Sequence, residues 1–386
     1  MDGTMIDRVE RILPLVQANA AGMEEARSLS PEVVAAMREA GVFRMCVPAE
    51  YGGPREADPL EEVGVFEALA AADGATGWCA MISSGTPLIT AFMPEAGVKE
   101  IYADGPDVVF GGGFAPTGTA VPVDGGFQVS GKWSFASGIA HSSWLFAGCI
   151  VIEDGRPRML PNGMPDLMHV FVPTSEAKVL DTWYVSGLCG SGSNDFTLEN
   201  VLVPEHRTLR IFGREPLRSE PIHRMPLLPL FASHTAAVAM GIGRAALDEI
   251  GRLARKKTPT MSMQPLAERP TVQLGLADAE AGLRSARAFV FDALEDAWNT
   301  VSAGETVSGE QHMLLRLASA HATRASAAAV DFAYTAGGGT ALYRKSPLQR
   351  YMRDVHAVTQ HIIVAPQTFG AVGRVLVGLD PGTPVF

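Results

Sequence analysis

The stretch Phe110–Trp144, FGGGFAPTGTAVPVDGGFQVSGKWSFASGIAHSSW, decides the fold. Its short runs of alternating apolar and polar residues are separated by glycine-containing turns, which is the pattern of short β-strands. Asp124-Gly125, between VPV and FQV, is the strongest short-range signal for a β-hairpin. We therefore predict a β-sheet here, with a backbone that a flat ligand could approach closely.

The alternating pattern continues on the C-terminal side of this stretch and stops at about Leu209. Short strands at this spacing, punctuated by glycine, proline and asparagine, are typical of an antiparallel barrel or sandwich. One segment differs: Asp181–Asp195, DTWYVSGLCGSGSND, is too polar and glycine-rich for a plain strand. It is either a ligand-binding loop or a tight connection between two strands.

The residues on either side of the sheet have helical periodicity. On the N-terminal side, where Ser30 suits a helix cap and Gly41 a helix end, we predict helices over Ile6–Gly41, Glu61–Ala80 and Pro94–Tyr102. On the C-terminal side, beyond a proline-rich linker, long alanine-rich patterns cover Leu230–Leu253, Thr271–Ala297 and Gly309–Tyr334. A shorter pattern covers Pro347–Thr359, and its continuation is interrupted at Pro366. Helices of this length with small side chains usually form a bundle.

Together these patterns predict an α+β protein of three domains. The N-terminal helical domain covers residues 1–107, a middle antiparallel β-barrel or sandwich covers 108–212, and a C-terminal four-helix bundle covers 213–386. The 386 residues, 47% of them hydrophobic, suffice for the large core that this architecture needs. We expect a ligand site between the layers.

Charge and cysteine content narrow the class of function. The 31 basic and 42 acidic residues give a net charge of −11, which disfavours nucleic acid or an anionic membrane as a partner. No apolar run approaches the roughly 20 residues of a membrane span. The four cysteines are widely spaced and form no CxxC motif, which indicates reduced thiols and a cytoplasmic location. No ligand spacing typical of a metal site occurs.

Four blocks, in order along the chain, resemble the acyl-CoA dehydrogenase superfamily: REAGVFRMCVPAEYGG (38–53), DGGFQVSGKWSFASG (124–138), DFTLENVLVPEHR (195–207) and LQRYMRDVHAVTQH (348–361). Members of that superfamily carry a flavin whose ring lies against the middle sheet, and most are homotetramers. The resemblance implies cofactor contacts from Gly113, Phe114, Phe135, Ala136, Ser137 and Trp183, and places Gly338 and Gly339 where a neighbouring subunit approaches the cofactor's tail.

The superfamily contains two chemistries, which the catalytic residue distinguishes. A dehydrogenase commonly places a carboxylate base about eight residues past an Arg-Asp pair, and here that count from Arg353-Asp354 reaches His361. No acid lies between Asp354 and Asp380. The histidine at this position and the sequence APTGTAVPVDGGFQVSGKWSFASG resemble those of the oxygenase components of two-component flavin monooxygenases. Examples are 4-hydroxyphenylacetate hydroxylase, the secosteroid hydroxylases and dibenzothiophene monooxygenase.

This second resemblance implies reduced flavin, FMN or FAD, delivered by a separate reductase, and O2 that adds to it as a C4a-hydroperoxide. The acceptor of the oxygen atom would be an aromatic or polycyclic molecule. His361 would be the base beside the substrate, because imidazole titrates near neutral pH, and Ser137 would hydrogen-bond the flavin. Both also have plain structural interpretations: His361 as a helix residue and Ser137 as a turn serine before Gly138.

One departure from the related hydroxylases concerns substrate activation. They often carry a further histidine in the segment that corresponds to Ile82–Phe92, which here reads ISSGTPLITAF, so that Gly85 or Thr86 stands there. His141 is expected to be a surface or packing residue. Apolar residues that would line the pocket, or belong to the core, are Trp183, Met225, Leu227, Leu228 and Phe231.

We predict the oxygenase component of a flavin-dependent monooxygenase that hydroxylates an aromatic or polycyclic small molecule. The alternatives are an acyl-CoA dehydrogenase with an unusual base and a flavin-free oligomeric scaffold.

Overall fold

Five helices form the N-terminal part of the computed structural model, which describes residues 4–54, 58–383 and 386. They are α1 (Met5–Ala26), α2 (Pro31–Ala40), α3 (Pro59–Ala72), α4 (Gly74–Thr90) and α5 (Glu95–Ile101). Ser30 caps α2 by accepting the Val33 N–H, and Gly41 ends it at a φ of 88°, as predicted. The single helix predicted over Glu61–Ala80 is wrong, because Asp73 has extended backbone and caps α4 through the Thr76 N–H.

The middle part is one connected sheet. Its strands are β1 (Phe110–Val123), β2 (Gly126–Trp133), β3 (Trp144–Glu153), β4 (Arg156–Pro157), β5 (Leu167–Pro173), β6 (Lys178–Leu180), β7 (Asp195–Pro204) and β8 (Thr208–Leu209). The order is β6-β7-β2-β1-β3-β5-β8, with β4 paired to β3. Val123 pairs with Gly126, so the predicted hairpin at Asp124-Gly125 is confirmed.

The sheet departs from the predicted antiparallel barrel or sandwich in two ways. The β1 and β3 strands are parallel, with Phe110 opposite Trp144, because the chain after β2 returns through a 3-10 turn at Ile139–His141 to the start of β1. Among the described strands, β6 and β8 stay as edges, so the sheet does not close on itself.

A bulge in β1 brings its backbone onto a buried tryptophan. The β1–β3 register shifts between Gly113 and Gly118. A Cβ on Gly118 would lie 2.0 Å from Cζ2 of Trp133, so only glycine allows this approach. Trp133 stacks on Phe196 of β7 at 5.1 Å and donates its indole N–H to the Gly148 carbonyl at 2.7 Å. The sheet therefore has its own apolar core beneath β1.

The C-terminal part consists of α6 (Pro221–Arg224), α7 (Leu227–Lys256), α8 (Pro270–Ser302), α9 (Gly309–Gly337), α10 (Pro347–Thr359) and α11 (Gln367–Leu376). The four longest, α7 to α10, are the helices of the predicted bundle. Buried side chains of α1 to α4 belong to the same apolar core as those of α7 to α10. The two helical parts are therefore held by a shared core, with the sheet against them.

One of these helices corrects the sequence prediction about membrane spans. By length and composition alone, α7 is apolar enough to cross a bilayer, with a mean hydropathy of 1.2 over its best window. Inside the protein, 83% of that window is buried. Burial against α3 and α9 accounts for its apolar composition, as in the core helix of a folded domain.

Candidate active site

The predicted ligand-facing edge of the sheet has strained backbone and an exposed aromatic side chain. Phe135 has a φ of 67°, a conformation that disfavours residues with a Cβ, and its side chain is 71% exposed. Its ring meets that of Trp183 edge-on, with centroids 6.1 Å apart. Strain of this kind persists only where the surrounding structure imposes it, and it is frequent at ligand sites. Phe135 and Trp183 therefore offer aromatic contacts to a flat ring.

The same edge is bonded to the Asp181–Asp195 loop. The Ala136 N–H donates to the Asn194 carbonyl at 3.2 Å, and the Gly138 N–H donates to that of Ser191 at 2.8 Å. From the other side, the Leu188 N–H donates to Oδ1 of Asp354 at 2.6 Å. Burial first, and then the charge of Asp73, raise the pKa of Asp354 to about 7. The loop is thus fixed between the sheet and α10.

Ser137 has hydrogen-bonding partners inside the protein. Its side chain is buried, and its Oγ accepts the indole N–H of Trp78 at 2.9 Å. Oγ also lies 2.8 Å from Oγ of Ser193, which in turn lies 2.7 Å from that of Ser191. Because Trp78 only donates, the hydroxyl proton of Ser137 remains available for Ser193 or for a ligand.

His361 lies on the other side of Trp78. The two rings meet edge-on at 5.5 Å, and the Ile363 N–H donates to Nδ1 of His361 at 3.4 Å. Burial first, and then the guanidinium of Arg316, lower the pKa of His361 to about 4. The imidazole is therefore neutral near pH 7, and the contact at Nδ1 favours the tautomer with its proton on Nε2.

Trp78 thus joins the two residues that the sequence singled out for chemistry. Trp78 is not among the residues predicted from the sequence, because the segment around it, ALAAADGATGWCAM, is rich in small residues, which is typical of a helix that packs closely against a neighbour. A buried indole needs an acceptor for its N–H, which was the available signal. Nothing local identified that acceptor as Ser137.

The face of α4 that carries Trp78 also carries Gly85, which lies close to residues that the sequence predicted to line the pocket. Gly85 follows seven residues later, about 20° away around the helix and about 10 Å along it. A Cβ on Gly85 would lie 2.9 Å from Cε2 of Phe231 on α7. Phe231 packs with Ile363 and Val364, which follow His361. Predicted pocket residues Phe231 and Leu228 therefore lie beside the His361 segment.

Other predicted pocket residues line a separate cavity. Met225 and Leu227, together with Leu88 of α4 and Phe92 just beyond its end, border a cavity of about 680 Å³. Its lining includes none of the residues proposed for chemistry, so volume alone does not identify the reactive site.

The remaining residues predicted to contact the cofactor lie partly in the sheet and partly in the helical bundle. Gly113 sits over Trp133, where a Cβ would lie 2.8 Å from the Cβ of Trp133. The ring of Phe114 packs on His169 at 4.5 Å, and its carbonyl accepts from Nε2 of His169 at 3.0 Å. Burial lowers the pKa of His169 to about 4, so it donates as a neutral imidazole.

Gly338 and Gly339 are exposed in the 3-10 turn that follows α9, where Lys257 Nζ donates to the Gly337 carbonyl at 2.6 Å. Their surroundings belong to the bundle and not to the Phe135 edge. His141 is partly buried, and its Nε2 lies 3.1 Å from Oγ of Ser28, as suits a packing residue.

These residues fit a flavin. An exposed aromatic pair beside a glycine-rich strand suits a flat ring, and a hydroxyl with an available proton suits a ring nitrogen.

Comparison with known proteins gives the same assignment. Residues 8–101 match the acyl-CoA dehydrogenase N-terminal domain and residues 233–366 match the acyl-CoA dehydrogenase C-terminal domain. Indole-3-acetate monooxygenase of Pseudomonas putida is 36% identical over 365 residues, which are 95% of this chain and 91% of that protein.

The chain belongs to the acyl-CoA dehydrogenase-fold flavin monooxygenases. Among solved structures, 3-HSA hydroxylase from Rhodococcus sp. RHA1 is similar over 100% of both chains, with a TM-score of 0.92 and 27% identity. XiaF from Streptomyces sp., in complex with FADH2 and glycerol, covers 98% of this chain and 96% of its own, with a TM-score of 0.90 and 25% identity.

This monooxygenase is therefore the oxygenase component of a two-component system, and it depends on reduced flavin and on a reductase that supplies it. The alternatives of an acyl-CoA dehydrogenase and of a flavin-free scaffold are set aside by these similarities.

Proposed function

We propose that this oxygenase component transfers one oxygen atom of O2 to an aromatic ring that carries an N–H or O–H group, of the indole or phenol type. The observation that carries the proposal is the link from Ser137 through Trp78 to His361, which places a hydroxyl, an indole and a neutral imidazole together. The rings of Trp78 and Phe231 and the side chains of Ile363 and Val364 make the surrounding walls apolar. The name of the Pseudomonas putida relative supports an indole-type substrate.

The flavin, FMN or FAD, supplies the two electrons that make an oxygen atom of O2 transferable. Phe135 and Trp183 would hold its ring from one side, while the backbone of Ala136, Gly113 and Phe114 would approach it from the sheet. Ser137 would donate its hydroxyl proton to the bound ring, since the N–H of Trp78 occupies the acceptor side of that oxygen. Apolar walls would exclude water from the reacting centre.

His361 would exchange a proton with the substrate. Its Nε2 is the nitrogen that does not face the backbone, because Nδ1 faces the Ile363 N–H. An O–H or N–H group that gives up its proton makes the ring richer in electrons and therefore a better acceptor of an electrophilic oxygen. The substrate anion beside the ring would in turn raise the pKa of His361 from its low value in the free protein.

Assembly, domain limits and location complete the proposal. We infer a homotetramer in which Gly338 and Gly339 face a neighbouring subunit, and exposed apolar side chains near them, Leu342 and Tyr343, support a contact there. We keep 1–107, 108–212 and 213–386 as the domain limits and the cytoplasm as the location.

Rapid mixing tests this function. Protein mixed anaerobically with reduced FMN or FAD and then with O2 should return oxidised flavin more slowly than free flavin does. Addition of indole-3-acetate or phenol should then accelerate reoxidation and give a hydroxylated product. Reoxidation at the rate of free flavin with both cofactors would refute the proposal. A preference for reduced over oxidised flavin in equilibrium titrations is the matching binding result.

A further inference from the structure

A carboxyl group and an imidazole lie together in the core between α3 and α7. Glu62 is 2% exposed and His234 is 0% exposed, and Oε2 of Glu62 lies 2.9 Å from Nε2 of His234. The other carboxyl oxygen, Oε1, accepts from the thiol of Cys46 at 3.2 Å. Burial raises the pKa of Cys46 well above its ordinary value, so that the thiol stays protonated. None of these groups has a role in the chemistry described above.

Neither imidazole nitrogen makes a hydrogen bond within the described part of the chain: Nε2 faces Oε2 of Glu62 at ion-pair distance only, and Nδ1 faces no polar partner. In the part of the chain that the structure describes, Nδ1 of His234 is buried and has no hydrogen-bond partner. The rings of Phe66 and Phe231 surround the imidazole, with centroids 5.0 Å and 6.0 Å from its own. Buried polar atoms are nearly always paired in folded proteins, and an exception at one specific atom calls for an explanation.

The unpaired nitrogen is directed toward the pocket wall. Nδ1 lies 3.7 Å from the point that a Cβ on Gly85 would occupy. Gly85 is on the same face of α4 as Trp78, and Phe231, whose ring centroid is 6.0 Å from that of His234, packs against Ile363 beside His361. His234 therefore lies next to Phe231 and Gly85, about two helical turns along α4 from Trp78.

We propose that His234, oriented by Glu62, is a second acid–base residue of this active site, which binds the N–H or O–H group of the aromatic substrate. This inference rests on the proposed function and deepens it. Phe231 fills the space beside Gly85, so a rotation of its side chain would open Nδ1 to the pocket and make room next to Gly85 for the substrate's polar group.

The Glu62–His234 pair determines which atom takes up the substrate's proton. With the proton on Nε2, the nitrogen that lies 2.9 Å from Oε2 of Glu62, Nδ1 is an acceptor. The substrate's N–H or O–H bond breaks, the proton passes to Nδ1, and the electron pair stays on the heteroatom and enriches the ring. The imidazolium so formed is stabilised by Glu62, and it returns the proton when the oxygenated product leaves. Titratable groups near the pair include Cys46 and His223; burial lowers the pKa of His223, and the charges of Glu220, Arg218 and Glu62 act on it in decreasing order.

Binding of 4-nitrophenol to protein without flavin tests the inference, because its ionised form absorbs in the visible. At pH 6 the wild-type protein should bind the probe with a larger ionised fraction than the probe has in free solution. His234→Gln should bind it about tenfold more weakly, the effect of one charge-assisted hydrogen bond, and without that extra ionisation. Cys46→Ala is the matched control, which removes a partner of the same carboxyl group and should behave as wild type.

Glu62→Gln provides an independent variant if His234→Gln does not fold. It retains the imidazole and the volume but removes the negative charge, so the ionised fraction of bound probe should fall while the affinity falls less. Wild-type affinity and ionisation in both folded variants would overturn the proposal, as would failure of the wild-type protein to bind the probe. Flavin reoxidation without an aromatic ligand is measured on the wild-type protein and on Cys46→Ala, so a failure of the probe test and a failure of the proposed function give different results.

Discussion

Asp354→Asn should remove a pH dependence that one buried carboxyl group imposes on the stability of the fold. Asp354 is 3% exposed, accepts the Leu188 N–H of the Asp181–Asp195 loop at 2.6 Å, and lies near a second buried carboxyl group, Asp73. Burial and the neighbouring carboxyl raise its pKa from 3.8 to about 7. The native protein therefore binds this proton more tightly than the unfolded chain does.

The sign and the magnitude of the effect follow from that difference. The free energy of unfolding should fall as the pH rises from about 4 to about 7, and this contribution should level off above pH 7. Each pH unit inside the window corresponds to about 1.4 kcal/mol, and the slope halves at pH 7, so the change between pH 5 and pH 7 is about 2 kcal/mol. Asparagine carries no such proton. The stability of the variant relative to wild type should therefore increase by that amount over the same interval.

Urea unfolding at one protein concentration and at pH 5, 6, 7 and 8 measures this difference. Other groups titrate in the same range, and the comparison of variant with wild type removes their contribution. His169→Gln is a control of opposite sign: burial lowers the pKa of His169 to about 4, so its contribution to stability is lost as the pH falls below 6.5. A difference between Asp354→Asn and wild type that stays constant from pH 5 to pH 8 would refute the reasoning.

Three further substitutions address the active site. Trp78→Phe removes the N–H that Ser137 accepts but keeps an aromatic ring, so unfolding should cost about 1 kcal/mol less and bound reduced flavin should reoxidise faster; stopped-flow rates equal to wild type would exclude this hydrogen bond from the reaction. Gly85→Ala places a Cβ 2.9 Å from Phe231, and overpacking of about 1–3 kcal/mol should appear in denaturant unfolding, whereas unchanged stability would contradict the close contact. His361→Ala should leave flavin reoxidation without substrate unchanged and abolish the hydroxylated product seen by chromatography; full hydroxylation would remove His361 from the mechanism.

The site assembles from four separated segments of the chain. Trp78 comes from α4, Ser137 from the segment that follows β2, Phe231 from α7 and His361 from the turn after α10. The Asp181–Asp195 loop is fixed to two of them, since it bonds Ala136 and Asp354. A substitution in that loop should therefore disturb both the segment around Ser137 and the segment that carries His361.

The sequence by itself determined the order of the layers and much of the local structure. Period-two and helical patterns predicted helices, sheet and bundle in the observed order, and Asp124-Gly125, Ser30 and Gly41 predicted a turn, a cap and a helix end that are all present. These features depend on neighbours within a few residues, which is the range over which backbone propensity and side-chain periodicity act. Ser137 and His361 were also selected from sequence, through resemblance to flavin monooxygenases.

Only the tertiary structure decided which distant segments meet. The parallel pairing of β1 with β3, the break at Asp73 and the contact from Trp78 to Ser137, 59 residues away, had no local signal. The same holds for Glu62 and His234, each of which stands in an apolar helix pattern. Periodicity shows which face of an element is buried, but not which polar group of another element contacts that face. That partner depends on how the elements pack, and packing is a property of the whole chain.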